Sequence, residues 1–297
     1  MSSCCSTTDN PLADKANLVV ALAGNPNCGK TTIFNALTGM RQKVANYPGV
    51  TVEKKTGRIK LHDGTQVDLI DLPGTYSLIS RSPDEKVAME VLRGLRAETP
   101  SPDVVIVCVD ASNLQRNLYL VSQLIELGKP LVVALNMMDI AERRGLRISA
   151  ERLSQQLGVP VIPIIGHQRI GIDELKRAIK HAKIAPLPQW QLPDAMQEEL
   201  MLVSGGLAIL DGGLRVVGRG SDTPSNELRP ATTDLRALEQ YRAMAERLLI
   251  GDRSADLSDV AELQPVDALL SHATRSLAQL GIDPMQADIE AHYHWIE

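Results

Sequence analysis

The residues best suited to chemistry in this chain form the run Gly24-Asn-Pro-Asn-Cys-Gly-Lys-Thr31. Its spacing, G-x-x-x-x-G-K-T, is that of a phosphate-binding loop, in which backbone N–H groups surround phosphates. In such a loop Lys30 reaches the β- and γ-phosphates and the Thr31 hydroxyl ligates Mg²⁺. A chance Gly-rich turn is the alternative, but an apolar segment before the run and a helix-like segment after it favour the phosphate site. We assign the phosphates to Gly24, Asn25, Pro26, Asn27, Cys28, Gly29, Lys30, Thr31 and Thr32.

A second motif, Asp71-Leu-Pro-Gly74, stands at the end of a predicted strand. Downstream of a phosphate loop, an Asp in this position holds Mg²⁺ through water, and the Gly N–H binds the γ-phosphate. An ordinary turn after a strand is the alternative. We assign nucleotide contacts to Asp71, Leu72, Pro73 and Gly74, with Asp71 on the metal and Gly74 in catalysis.

The base is predicted by Asn136-Met137-Met138-Asp139, which follows the apolar run 131–135. A carboxylate that accepts from N1–H and the 2-amino group selects guanine, since adenine offers neither donor. Asn136 can bind the base edge and tie down the phosphate loop. Met137 stands where many GTPases have Lys, and Asn and Asp in a simple strand-to-helix turn are the alternative.

The segment 42–53 is polar, contains Gly and Pro, and is predicted to be a nucleotide-sensing loop. Thr51 is the expected second hydroxyl ligand of Mg²⁺ and a catalytic residue, with Gly49 and Val50 beside it as nucleotide contacts. Thr56 is a weaker candidate because we expect it to begin the next strand.

Gly166 and His167 stand where a fifth GTPase motif, usually a Ser-Ala pair, would contact guanine through its backbone. The departure from Ser-Ala puts this base contact in doubt and predicts modest affinity. We interpret His167 as a solvent-facing loop residue rather than a catalytic one.

The catalytic parts of this predicted site differ from those of many GTPases. Thr75 follows Gly74, where many GTPases have a water-orienting Gln, and no Arg is an obvious arginine finger. Arg41 and Arg81 are candidates, with ordinary solvated loop residues as the alternative that exposed Arg side chains favour. Hydrolysis is therefore expected to be slow or assisted by another cation. Asn27 is a candidate ligand of K⁺, although a turn residue bonding its own backbone is the alternative that the residues alone favour slightly.

The elements that must position these residues alternate between strand and helix over 16–184. Strands are predicted at 17–23, 56–61, 66–71, 104–110, 131–136 and 161–165, and helices at 30–38, 83–97, 114–127, 149–157 and 172–183. Ser82 to Glu85 forms a capping box, and the turn at 62–65 predicts a hairpin. The alternation predicts an α/β fold with a mostly parallel sheet.

The outer parts of the chain have a different character. Residues 1–15 are interpreted as a flexible tail with incidental thiols at Cys4 and Cys5, and 185–193 as a Pro-rich linker. Helical periodicity then dominates 194–297, with helices predicted at 194–203, 233–250, 265–280 and 284–296. A Gly/Ser/Pro-rich insertion occupies 204–232, and its first part, 206–217, is either a broken helix or a short hairpin.

The composition restricts the function classes. Among 297 residues the net charge is -5, which argues against a nucleic-acid binder that relies on a general basic field. No apolar run approaches the length of a membrane span and no signal peptide is recognised, so we expect a soluble chain. The four cysteines form no disulfide framework, which fits a reducing cytosol.

Taken together, 24–31, 46–53, 71–78 and 136–139 resemble the N-terminal domain of the FeoB family of bacterial ferrous iron transporters. The strings Pro-Gly-Val-Thr-Val-Glu and Leu-Pro-Gly-Thr-Tyr-Ser-Leu are specific, the resemblance is strong over 16–184, and it is weaker in the helical remainder. The insertion at 204–232 is a departure from the family.

The resemblance implies a Ras-like P-loop domain that hydrolyses GTP, followed by a smaller all-α domain. It also implies Mg²⁺, K⁺ activation through the phosphate-loop Asn, here Asn27, and a membrane-embedded Fe²⁺ transport domain in the same polypeptide. The expected location is the cytoplasmic face of the bacterial inner membrane, and a homo-oligomer is possible.

Two other functions stay open at this point. One is a GTPase of RNA or ribosome assembly, but 194–297 carry no obvious Lys/Arg stripe for RNA. The other is a nucleotide-binding switch module with negligible turnover, which the absence of the Gln after Gly74 would allow.

Overall fold

The computed structural model describes residues 12, 15–79, 82–188, 191–210, 235–252, 260 and 264–296. The predictions for most of the tail, including Cys4 and Cys5, for Arg81 and for 211–232 lie outside the described residues. The chain divides into two compact units, residues 1–187 and 188–297, and the division falls within the segment 185–193 that we interpreted as a linker.

The first unit is built on one seven-stranded sheet. Its strands are β1 (Asn17–Gly24), β2 (Gln42–Asn46), β3 (Glu53–Lys60), β4 (Gln66–Asp71), β5 (Val104–Asp110), β6 (Leu131–Asn136) and β7 (Val161–Pro163). The order is β2-β3-β4-β1-β5-β6-β7, parallel from β4 to β7 and antiparallel for β2 and β3. This confirms the predicted mostly parallel α/β fold.

The parallel pairing fixes where the functional motifs meet. Leu22 pairs with Asp71 across β1 and β4, Gly24 pairs with Cys108 across β1 and β5, and Asp110 pairs with Asn136 across β5 and β6. Each of β1, β4 and β6 therefore ends in one of the three motifs. Because carboxyl ends of parallel strands meet at one edge, the motifs share that edge.

The segment 42–53 is not the continuous loop that the sequence predicted. Residues Gln42–Asn46 form β2, and β3 begins at Glu53, three residues before the predicted start. All five β2 residues are exposed, so this edge strand leaves no alternation of apolar and polar residues that could reveal it. The loop proper is reduced to 47–52.

Among the described residues of this unit, six α-helices accompany the sheet: α1 (Lys30–Thr38), α2 (Pro83–Arg93), α3 (Leu114–Glu126), α4 (Met138–Arg143), α5 (Ala150–Leu157) and α6 (Ile172–Ile179). The predicted capping box begins α2, with Ser82 Oγ accepting from Glu85 N and Ser82 N donating to Glu85 Oε2. The helix ends early because Gly94 adopts a left-handed conformation, φ 73°. The core between these layers is almost entirely aliphatic, and β5 is buried from Val104 to Val109.

The second unit is helical, as predicted. It contains α7 (Asp194–Leu210), α8 (Leu235–Leu249), α9 (Gln264–Gln279) and α10 (Pro284–Ile296), which bury an aliphatic cluster of their own. Helix α7 continues seven residues beyond the predicted end at 203, so the broken-helix or hairpin alternatives for 206–210 are replaced by regular helix. A Cβ at Gly206 would lie 2.3 Å from Leu269 Cδ1, so glycine permits a close approach of α9. No described helix is both long enough and apolar enough to cross a bilayer.

Candidate functional site

Two neighbouring clefts lie at the carboxyl edge of the parallel strands. A cleft of about 380 Å³ is lined by residues of the first two motifs, Pro26, Asn27, Lys30, Thr31, Asp71, Leu72, Pro73 and Gly74, and also by Val52, Glu53, Lys55 and Asp84. A cleft of about 560 Å³ is lined by Asp139, Glu142, Arg143, His167 and Gln168. The structure therefore brings four of the nine predicted phosphate-loop residues together with all four of Asp71–Gly74, and it also places Asp139 beside His167.

The phosphate loop is shaped by two glycines that no other residue could replace without displacement. A Cβ on Gly24 would lie 2.7 Å from Cys108 O, and one on Gly29 would lie 2.2 Å from Asn136 Nδ2. Gly29 also has φ 90°, which L residues rarely adopt, and α1 begins directly after it at Lys30. The loop therefore leads its backbone N–H groups into a helix N-terminus, an anion-binding arrangement.

Lys30 and Asp71 form an ion pair within the phosphate cleft. Lys30 Nζ donates to Asp71 Oδ1 at 3.2 Å, and both side chains are largely buried. Burial raises the pKa of Asp71, and the attraction of Lys30 offsets that rise only in part. The pair therefore holds a cation and a buried carboxylate where phosphates and a metal ion would each find a partner of opposite charge.

The backbone carbonyl of Cys28 attaches the phosphate loop to strands β5 and β6. This carbonyl accepts from Cys108 Sγ at 3.0 Å and from Asn136 Nδ2 at 3.0 Å. A separate side-chain hydrogen bond between the two thiols lowers the pKa of Cys28, while burial raises the pKa of Cys108 well above its usual value. Sequence reasoning missed the role of Cys108, and only the prediction that it lies in a buried strand pointed to it.

Asn136 joins the phosphate loop to the fifth motif. Its Nδ2 donates to Cys28 O, and its Oδ1 accepts from Gly166 N at 3.0 Å. A Cβ on Gly166 would lie only 3.2 Å from Asn136 Oδ1, so glycine here permits the close approach. The Gly166-His167 departure from Ser-Ala therefore preserves a backbone contact to Asn136, while His167 is exposed and contacts Gln168.

Asp139 lies in the first turn of α4, a helix that begins directly after Met137, whose conformation is left-handed with φ 62°. Its Oδ2 accepts from Arg143 Nη2 at 2.8 Å, and the Arg143 side chain is mostly exposed. A base entering this cleft would have to share or displace Arg143. The i,i+4 spacing on a short helix could have revealed this pair from the sequence.

The structure does not bring Thr51 to the phosphate cleft. Thr51 is exposed in the loop between β2 and β3, with Gly49 (φ 77°) and Val50 in the same turn, and among described residues its neighbours Val52 and Glu53 line the cleft instead. Thr75 is buried, and its hydroxyl donates to Ser77 O. Thr75 therefore cannot orient an attacking water as a Gln would.

Asn27 has the geometry of a turn residue but not the bonding of one. Its φ of 66° is left-handed, and its side chain is exposed on the phosphate cleft. Within the described part of the chain its amide makes no hydrogen bond, so the alternative that it bonds its own backbone finds no support. The amide oxygen is available to a ligand.

The oxygen donors of the phosphate cleft fit Mg²⁺. Thr31 contributes a hydroxyl and Asp71 a carboxylate to the same cleft, and Mg²⁺ commonly combines one or two such protein ligands with water and substrate phosphates. Across the residues that the structure describes, no three His, Cys, Asp or Glu side chains gather into a metal cluster.

Comparison with known proteins agrees with this geometry. The Fe(2+) transporter FeoB of Legionella pneumophila (strain Paris) is 52% identical over 172 residues, which are 56% of this chain and 22% of that protein. The chain thus matches about a fifth of the length of such relatives. The cytosolic domain of L. pneumophila FeoB superposes with a TM-score of 0.70 at 37% identity, covering 94% of this chain and 96% of that one.

A second solved structure carries a nucleotide. It is an S. thermophilus NFeoB variant bound to mGDP, with a TM-score of 0.71 and 31% identity, covering 94% of this chain and 96% of that one. The family model described as "Ferrous iron transport protein B" matches residues 18–179, which contain every motif discussed above. The chain therefore belongs to the ferrous iron transport protein B family, as the resemblance of its motifs predicted.

Proposed function

We propose that this chain binds GTP with Mg²⁺ and hydrolyses it to GDP and phosphate. The observation that carries the proposal is the double hydrogen bond of Asn136, which joins the phosphate loop at Cys28 to the Gly166 loop beside Asp139. This contact fixes the position of the phosphate cleft relative to the cleft beside Asp139, as recognition of both the phosphates and the base of one nucleotide requires. The mGDP-bound relative supports a guanine nucleotide as the occupant.

The residues divide the work of hydrolysis as follows. Thr31 and Asp71 would hold Mg²⁺, with Thr51 joining them when its loop closes, and Lys30 would neutralise charge on the β- and γ-phosphates. When bound, the metal would stabilise the negative charge that develops on the β- and γ-phosphate oxygens as GDP leaves. With Thr75 buried in place of a Gln, backbone groups such as Gly74 N–H would position the attacking water, and turnover would be slow.

We propose that K⁺ stimulates this reaction by binding the Asn27 amide oxygen. The free, exposed amide on the phosphate cleft supports the assignment. A monovalent cation there would supply the positive charge that an arginine finger supplies elsewhere. The exposed Arg41 lies directly before β2 and is not among the residues that line the cleft.

The biological role we propose is regulation of Fe²⁺ uptake at the cytoplasmic face of the bacterial inner membrane. Its support is family membership, since the relatives are Fe(2+) transporters of which this chain matches about a fifth. The partner would be a membrane-embedded transport domain, and rearrangement of 42–53 on hydrolysis would change how the helical unit meets that partner. A homo-oligomer is part of the same proposal.

The proposal is tested by steady-state GTP turnover of the full chain in K⁺ and in Na⁺ buffers of equal ionic strength. We expect slow, Mg²⁺-dependent turnover that is faster in K⁺, and we expect Thr51→Ala to slow it about tenfold or more while GDP affinity is largely kept. Binding without turnover in either buffer would favour the switch-module alternative. Tight RNA binding at physiological salt would favour the alternative in ribosome assembly.

A further inference from the structure

Tyr47 is an unusual residue in the loop that carries Thr51. From Arg41 to Glu53 the side chains are exposed or half-buried, except for Tyr47, which is 1% exposed, and Val52. A solvent-exposed loop has no need of a buried aromatic side chain. The burial of Tyr47 in this polar hairpin therefore calls for a structural explanation.

The backbone of Tyr47 closes the loop at its base. Tyr47 N donates to Val52 O at 2.9 Å, and Tyr47 O accepts from Val50 N at 3.2 Å. The two buried residues of the hairpin are thus bonded to each other. Only residues 48–51 lie between them. Thr51 can therefore move with these four residues while Tyr47 and Val52 stay bonded to each other.

The ring of Tyr47 is held by two cations from different parts of the chain. Lys54 Nζ lies 5.4 Å from the ring centroid and the guanidinium carbon of Arg96 lies 5.3 Å from it, both within the range of cation–π attraction. Lys54 also donates to Thr99 Oγ1 at 2.7 Å. The ring is therefore attached to the segment 96–99 that follows α2.

Arg96 also contacts the loop directly. Its Nη1 donates to Pro48 O at 3.4 Å, while its Nε pairs with Glu90 of α2 at 2.8 Å. Arg96 and Glu90 are both largely buried, so this ion pair is better shielded from water than a surface pair. The base of the loop is thus tied to α2, the helix that follows the Asp71–Gly74 motif.

The hydroxyl of Tyr47 contributes nothing visible to this attachment. Tyr47 Oη is buried and has no hydrogen-bond partner in the part of the chain that the structure describes. The attachment is therefore made by the ring and the backbone, and a phenylalanine should preserve it.

We propose that Tyr47 is a positioning residue: it fixes the base of the loop from which Thr51, which lies outside the phosphate cleft in this structure, moves to reach the metal. The inference rests on the proposed function, in which Thr51 joins Mg²⁺ on GTP binding. A fixed base limits the number of residues that must be ordered when the loop closes, and a longer free loop would cost more entropy to order. GDP binding, which does not need Thr51, should be insensitive to this residue.

The test compares Tyr47→Ala, Tyr47→Phe, Thr51→Ala and the Tyr47→Ala/Thr51→Ala double variant in the full chain. GTP turnover is measured together with the affinities for mant-labelled GDP and for a non-hydrolysable GTP analogue with Mg²⁺. We expect Tyr47→Ala to lower kcat about tenfold and to weaken the analogue, with GDP affinity within about twofold of wild type. Tyr47→Phe should stay within about twofold in all three measurements.

The double variant separates positioning from general stability. If Tyr47 acts through Thr51, the double variant turns over no more slowly than Thr51→Ala alone. Effects that multiply, or a loss of GDP affinity equal to the loss of kcat, would show a merely structural role and overturn the inference.

A second variant guards against misfolding of Tyr47→Ala. Arg96→Gln keeps the tyrosine but removes one cation, the bond to Pro48 O and the ion pair with Glu90, and it should lower kcat in the same Thr51-dependent manner. Unchanged kcat in Arg96→Gln and in Tyr47→Ala would overturn this inference alone. Absence of turnover in the wild type would overturn the proposed function, and this inference with it.

Discussion

Lys30 and Asp71 are ion-paired across the phosphate cleft, with Nζ 3.2 Å from Oδ1. Each of the two groups that would meet the phosphates and the metal therefore already has a partner, and nucleotide binding must exchange that partner for another. The exchange is favourable for Lys30 because charge-assisted bonds to phosphate are strong and the cleft is partly shielded from water.

The first prediction follows from this pair. Lys30→Ala should weaken GDP and GTP by about a hundredfold or more, since it removes the side-chain cation of the phosphate loop. Isothermal titration calorimetry measures the loss. Lys60→Ala, on an exposed position of β3, is the matched control and should bind as wild type does. Equal affinity of Lys30→Ala and wild type would contradict the assignment of the loop.

A second prediction concerns the space at Gly29. A Cβ there would lie 2.2 Å from Asn136 Nδ2, whereas Gly39, also left-handed, has nothing within 4 Å of its Cβ position. Both Ala variants bear backbone strain, of order 1 kcal/mol, but only Gly29→Ala also displaces Asn136. Urea unfolding should therefore show a loss at Gly29 that exceeds the loss at Gly39 by about 1–3 kcal/mol. Similar losses of unfolding free energy in the two variants would mean that the Asn136 contact contributes little to stability.

Base recognition supplies the third prediction. Asp139→Asn should weaken GDP strongly and shift preference toward xanthine nucleotides, because the amide can donate to the 2-oxo group that replaces the 2-amino group. Competition between GDP and XDP measures the preference. Asp173→Asn, at an exposed carboxylate paired with Lys176 on α6, should leave it unchanged. If Asp139→Asn retained guanine preference, Asp139 would not contact the base.

The fourth prediction isolates the amide of Asn27. At φ 66° an alanine would add backbone strain to the loss of the amide, so Asn27→Gly is the cleaner variant. Turnover of Asn27→Gly in K⁺ should fall to the Na⁺ level of the wild type, while GDP affinity changes little. Asn27→Asp, which keeps an oxygen, should retain a response to K⁺. A full K⁺ response in Asn27→Gly would place the cation elsewhere.

Alkaline pH gives the fifth prediction. Burial raises the pKa of Tyr47 to about 12, from an ordinary value of 10.0. Because the folded pKa is the higher one, the stabilisation is complete below the unfolded pKa and is lost as the pH rises toward the folded value. At pH 11 the wild type should have lost about 1 kcal/mol more unfolding free energy than Tyr47→Phe, relative to pH 8. Parallel pH profiles of the two proteins would contradict the burial of this hydroxyl.

Much of the fold could be predicted because the sequence is locally consistent. The apolar run before Asn136 and the capping box at Ser82 each point to one structure, and both appear as expected. Strand β2 could not be found in this way, since its five residues are exposed and only pairing with β3 makes it a strand. The end of α6 at Ile179 was also hidden, because Lys183 leaves the helix to pair with Leu131 of the sheet.

The site shows the same division. Spacing, together with the flanking strand and helix patterns, predicted the loop 24–31 and the motif at Asn136, because such motifs are contiguous in the chain. The supports of the loop are not contiguous: Cys108 is 80 residues from the carbonyl that it contacts. The attachment of Tyr47 to Arg96 likewise depends on the folded arrangement, and no local pattern in the sequence reveals it.

The double contact of Asn136 has a consequence for the origin of specificity in this protein. Its Oδ1 accepts from Gly166 N, and its Nδ2 donates to the Cys28 carbonyl of the phosphate loop. Under the proposed function, a substitution of Asn136 would therefore lower the affinity for any nucleotide, whichever base that nucleotide carries. Under the proposed function, a change of base preference would therefore have to come from Asp139 rather than from Asn136.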